Sequence, residues 1–108
     1  MTKAPGLRID VGADQTGVTF TVSGEIDIAT VGRLEQARTK ALAQQPSRLL
    51  IDLRRVDFID SSGLKFLLET DRLSRSAGWE LQLLRPAESA RKALVLTGAD
   101  KHLPFVNG

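Results

Sequence analysis

The chain has 108 residues, 42% of them hydrophobic and 26% charged, a net charge of +2 and no cysteine. This length suits one small domain over residues 1–108 with a single modest core. The missing thiols exclude disulfides, thiolate metal sites and cysteine nucleophiles. The arginines are scattered, and the aromatics are four Phe and one Trp, so the clustered basic patch with stacking rings of a nucleic-acid binder is missing. No apolar run reaches membrane-spanning length. The opening Met1-Thr2-Lys3-Ala4-Pro5-Gly6 lacks the apolar stretch of a signal peptide. The expectation is a cytoplasmic protein that binds neither nucleic acid nor membrane.

Leu7 to Val11 alternates apolar and polar residues, and Val18 to Val22 does so again around turn-forming Gly12 to Gly17. This predicts an opening antiparallel hairpin. After Gly24, Asp27 is placed to cap a helix carrying Val31, Leu34, Ala37, Ala41 and Leu42 at helical spacing and closed by Pro46. Leu49-Leu50-Ile51 is a continuous apolar run, which predicts a central strand covered on both faces. Val56 to Ile59 extends toward Asp60-Ser61-Ser62-Gly63, where a second helix starts and runs to about Ala77, before Gly78. Trp79 to Leu84 alternates as a further strand. Pro86 suits the start of a third helix with Ala90, Ala93, Leu94 and Leu96, and Pro104 to Val106 suits a short edge strand. Helices alternating with strands after a hairpin predict an α/β fold with a mixed sheet of four to five strands.

Few residues carry chemistry. Asp60-Ser61-Ser62-Gly63, read alone, is an N-cap and turn sequence. Asp52, Asp57 and Asp60 form a loose acidic group without His or Cys, so no metal site is expected. His102 is the lone histidine and is assigned no role. No Walker-type loop supports a nucleotide cofactor. No nucleophile pairs with a base, so the chain is not read as an enzyme. On the second helix, placing Leu64, Leu67 and Leu68 inward leaves Phe66 and Leu73 on the opposite side as a contact surface. That rotation also turns Asp71 inward.

Three segments in order resemble one family. Gly24-Glu25-Ile26-Asp27, then Asp52-Leu53 with Val56-Asp57-Phe58-Ile59-Asp60-Ser61-Ser62-Gly63-Leu64, then Ala90 to Gly98 resemble the signatures of STAS domains of the anti-sigma-factor-antagonist kind. The resemblance implies a STAS fold and a phosphorylatable serine directly after the acid, here Ser61. It implies a partner-switching cycle: the unphosphorylated protein captures a kinase-type anti-sigma factor, phosphorylation of Ser61 releases it, and a serine phosphatase resets it. Asp27, Asp60, Ser62 and Gly63 become switch-motif neighbours, and Glu25, Phe66 and Leu73 partner contacts. Asp27 should lie near Ser61, and Gly63 should leave room for another backbone to approach. Arg54-Arg55 departs from many relatives, as does Asp71, and the arginine pair bears on partner choice. The alternatives are a STAS scaffold subunit of a transport complex and a STAS domain cut from a larger sensor. The oligomeric state stays open.

Overall fold

The computed structural model describes residues 6–107; the opening segment read for a signal peptide lies outside them, apart from Gly6. In chain order the elements are β1 (Leu7–Asp14), β2 (Gly17–Ile26), α1 (Val31–Ala43), β3 (Arg48–Ile59), α2 (Ser61–Ala77), β4 (Glu80–Leu84), α3 (Glu88–Thr97), α4 (Ala99–His102) and β5 (Phe105–Val106). The strands form one sheet in the order β1-β2-β3-β4-β5. β1 runs antiparallel to β2, and the other neighbours are parallel. This is the expected mixed sheet with an opening hairpin. The hairpin strands run on past Val11 and Val22, and the one-turn α4 was not foreseen.

Register explains the two faces of the sheet. Phe20, Ile51 and Leu83 are aligned across β2, β3 and β4 and are fully buried, together with Leu34 of α1 and Phe66 and Leu67 of α2. On the opposite face Thr19, Leu50 and Gln82 align, and all three are only half-buried. The expectation that β3 is covered on both faces is therefore corrected. Its neighbours on the second face are polar, so Leu50 sits in a half-wet row. β3 is also one continuous strand. Beyond Asp52 its pairing with β2 shifts register twice, which moves Val56 and Ile59 into the core.

The rotation of α2 is a second correction. Gly63, Phe66, Leu67, Thr70 and Ser74 point inward, while Leu68 and Leu73 are exposed. Phe66 is 1% exposed and belongs to the core. The Arg38 guanidinium of α1 lies 4.7 Å from its ring centroid and donates to Thr70 Oγ1 at 2.8 Å. A cation over a ring face and a satisfied buried hydroxyl lock the two helices together. Asp71 is half-buried, its side chain 14% exposed, and its carboxylate pairs with Arg75 at 2.9 Å. Leu96, expected among the apolar positions of α3, is 77% exposed.

Candidate functional site at the ends of β2 and β3

Parallel strands β2 and β3 end side by side, Ile26 paired with Ile59. The Asp60 amide donates to the Ile26 carbonyl at 3.1 Å and joins the two exits. Gly24 shapes the first. Its φ is +99°, and a Cβ there would strike the Gly6 carbonyl, which accepts from the Glu25 amide. Only glycine fits such a place. The register shift at Gly24/Glu25 brings Glu25 to the exposed side and Ile26 to the core.

Asp27 caps the turn that leads into α1. Its Oδ1 accepts from the amides of Ala29 and Thr30 at 3.0 and 3.1 Å, and its carbonyl accepts from Val31 at 2.9 Å. The cap thus acts one turn before the assigned start of α1. Thr30 completes the loop. It is buried, its Oγ1 accepts from the Asp27 amide at 2.9 Å, and it donates to the Glu25 carbonyl at 2.9 Å.

Asp60 caps α2. Its Oδ1 accepts from the amides of Ser62 and Gly63 at 2.8 and 3.2 Å. Ser61, the first helical residue, is exposed, and no hydrogen bond to its hydroxyl is present among the described residues. Asp27 spends its carboxylate on its own turn, so no hydrogen bond joins it to Ser61. Ser62 is half-buried. Gly63 is buried, and a Cβ would come within 2.7 Å of Ile26 Cγ2 and 2.9 Å of Ile59 Cγ2. Its missing side chain therefore admits the protein's own two isoleucines. This replaces the expected approach of a foreign backbone.

Ser61 shares its helix face with Lys65, Leu68 and Arg72, at intervals of four, seven and eleven residues, and all four are exposed. Phe66 lies on the opposite face, so it is no partner contact. Leu73 is exposed but lies about 18 Å along the helix from Ser61, beside Leu42, Pro46 and Trp79. Two exposed apolar residues lie close in sequence to the paired strand ends Ile26 and Ile59 and were missed: Ile28, 78% exposed, and Phe58, 46% exposed. Each alternates with a buried strand residue, Ile28 with Ile26 and Phe58 with Val56, so the pattern reads them as core and carries no signal of their exposure. Arg54 holds Asp52 through Nε and Nη2 at 3.0 and 2.8 Å. These bonds keep the Asp52 carboxyl below its ordinary range. Among the described residues no acid or histidine cluster could hold a metal, and no helix is long and apolar enough to cross a membrane.

A family model described as "Mlab, STAS domain" matches residues 9–106. The chain belongs to the STAS domain family. It is 35% identical over 91 residues to the anti-sigma-F factor antagonist RsfB of Mycobacterium tuberculosis, covering 82% of this chain and 73% of that one. The crystal structure of an anti-sigma factor antagonist from Mycobacterium paratuberculosis superposes with a TM-score of 0.77 at 36% identity, covering 99% of this chain and 92% of that one. Within the family, then, the chain falls among the anti-sigma-factor antagonists. The Bacillus protein SpoIIAA, 20% identical, shares the fold in its unphosphorylated form at a TM-score of 0.77 and in its phosphorylated form at 0.72; the matches cover 94% of this chain and 88% and 91% of those.

Proposed function

We propose that this chain is a phosphorylation-controlled partner switch. It binds a kinase-type anti-sigma factor while Ser61 carries a free hydroxyl and releases it once Ser61 is phosphorylated, and a serine phosphatase restores the hydroxyl. In this role it acts as one cytoplasmic domain, by binding and not by catalysis, and needs no cofactor. The observation that carries the proposal is the setting of Ser61: exposed, its hydroxyl without a hydrogen-bond partner among the described residues, at the first position of a capped helix.

The chemistry follows from the cap. A phosphate adds about −1.5 to −2 charges at pH 7. The Ser62 and Gly63 amides, the usual anion donors of a helix start, already serve Asp60. The phosphate is left in water beside a carboxylate and must be desolvated when a partner closes over it. Ile28, Phe58 and Leu68 supply exposed apolar area, and Glu25 supplies an exposed acid. These four are the proposed contacts, Leu68 taking the place of Phe66. The anti-sigma partners named for the relatives support this assignment.

The test is affinity capture from the source cell with wild type, Ser61→Ala and Ser61→Asp, read by mass spectrometry, with phosphopeptide mapping of the wild type. The expected result is a kinase-type anti-sigma factor on wild type and Ser61→Ala, none on Ser61→Asp, and one phosphate on Ser61. Phosphate on Ser62 alone, or equal capture by all three proteins, would overturn the proposal. Recovery of transporter subunits would favour a scaffold role.

A further inference from the structure

Three arginines converge on a cleft that the proposed switch does not use. Arg54 of β3, Arg85 just past β4 and Arg91 of α3 line it with Leu84, Val106 and Asn107, around about 250 Å³. Each guanidinium is held from behind. Arg54 Nε and Nη2 bond the two oxygens of Asp52. Arg91 Nε donates to the Pro86 carbonyl at 2.9 Å. Arg85 lies over the Phe105 ring, 4.9 Å from its centroid. Nη1 of Arg54 and both terminal nitrogens of Arg91 have no protein partner among the described residues.

Among the described residues no carboxylate lines the cleft, and Asp52 pairs only with Arg54. Asp100 lies in an adjoining crevice with Arg85 and Arg91 but forms no ion pair with either. Two arginines without counter-ions match a dianion, and fixed guanidinium forks suit the oxygens of phosphate. Leu84 and Val106 end parallel strands β4 and β5, so the cleft lies outside the carboxyl ends of the strands, where open α/β sheets bind ligands. Its volume falls below the roughly 300–1,000 Å³ of sites for drug-sized molecules. The two aliphatic side chains offer a wall for a short carbon body.

The geometry points to a binding site for a small phosphomonoester dianion in the Arg54–Arg85–Arg91 cleft. Asp52 orients Arg54, and Arg85 and Arg91 carry the charge. The site is independent of Ser61.

The test is calorimetric titration of the whole chain at low ionic strength with glycerol phosphate, inorganic phosphate and sulfate. Glycerol phosphate should bind saturably at one site and more tightly than sulfate. Arg85→Gln and Arg91→Gln should each weaken it at least about tenfold, or about 1.4 kcal/mol. Arg55→Gln, the same charge change outside the cleft, should leave it unchanged. Arg91→Lys keeps the charge but loses the fork, so it should bind weakly while melting like wild type; it decides the matter if Arg91→Gln fails to fold. Absence of saturation, an equal loss in Arg55→Gln, or wild-type affinity in Arg91→Lys would overturn the site. Tighter binding of a phosphoserine peptide than of glycerol phosphate would reassign it to a protein partner.

Discussion

Two turns in this molecule use the same device to opposite ends. Asp27 and Asp60 each follow a parallel strand, and each accepts two backbone amides through one carboxylate oxygen. After Asp27 the hydroxyl comes three residues later, at Thr30, where it turns inward and joins the strand exit to the turn. After Asp60 the hydroxyl comes at once, at Ser61, and the cap consumes the amides beyond it. Position relative to the cap therefore decides whether a hydroxyl becomes structure or is left for chemistry. An N-cap acid followed directly by serine presents that serine without unfolding anything.

Phe66 sets the rotation of α2 that turns Ser61 outward, so its loss should disturb the Asp60 turn most. Truncating a buried Phe costs about 3–5 kcal/mol. We expect Phe66→Ala to lower stability by that amount in a denaturant melt; a loss below about 1 kcal/mol would mean the ring is not core. Thr30→Val comes next. It strands the Asp27 amide and the Glu25 carbonyl, and an unsatisfied buried group costs about 1–3 kcal/mol. The same readout applies, and a neutral result would dissolve the contrast between the two hydroxyls.

These two residues also show what was legible. The order of elements along the chain, the hairpin and the Asp-Ser-Ser-Gly turn follow from alternation, glycines and capping chemistry, which are local. The rotation of α2 was not legible, because Leu64, Phe66, Leu67, Leu68 and Leu73 are apolar on more than one side and only packing against α1 selects Phe66. The wet second face of the sheet escaped for a similar reason. Leu49-Leu50-Ile51 reads as doubly buried until the neighbouring strands place Thr19 and Gln82 beside Leu50. Thr30 carries no periodic signal at all, and its role depends on a carbonyl five residues back.

Smaller effects sharpen the Asp60 side. Asp60→Ala removes a cap worth about 0.5–2 kcal/mol, and thermal melts should show that loss. Ser61→Ala should change stability by no more than about 0.5 kcal/mol, because among the described residues nothing bonds the hydroxyl. A larger loss would make Ser61 a structural residue. The smallest effect belongs to Asp52, which accepts from the Arg54 side chain and from its amide. Its folded carboxyl titrates below the ordinary value of 3.8, so its contribution is complete above that pH and fades as pH falls through the lowered folded value. Asp52→Asn should flatten the acid limb of stability against pH; an unchanged limb would show that the Arg54 pairing adds nothing.

The Asp60 turn also carries its own clock. The amides of Asp60, Ser62 and Gly63 are each bonded, to Ile26 or to the Asp60 carboxylate, whereas the Ser61 amide has no acceptor among the described residues. In deuterated water the Ser61 amide should exchange at nearly the rate of an open chain, between neighbours that wait for a local opening. Four consecutive residues thus form an internal ruler: three slow amides report whether the cap is intact, and the fast one reports what becomes of the serine.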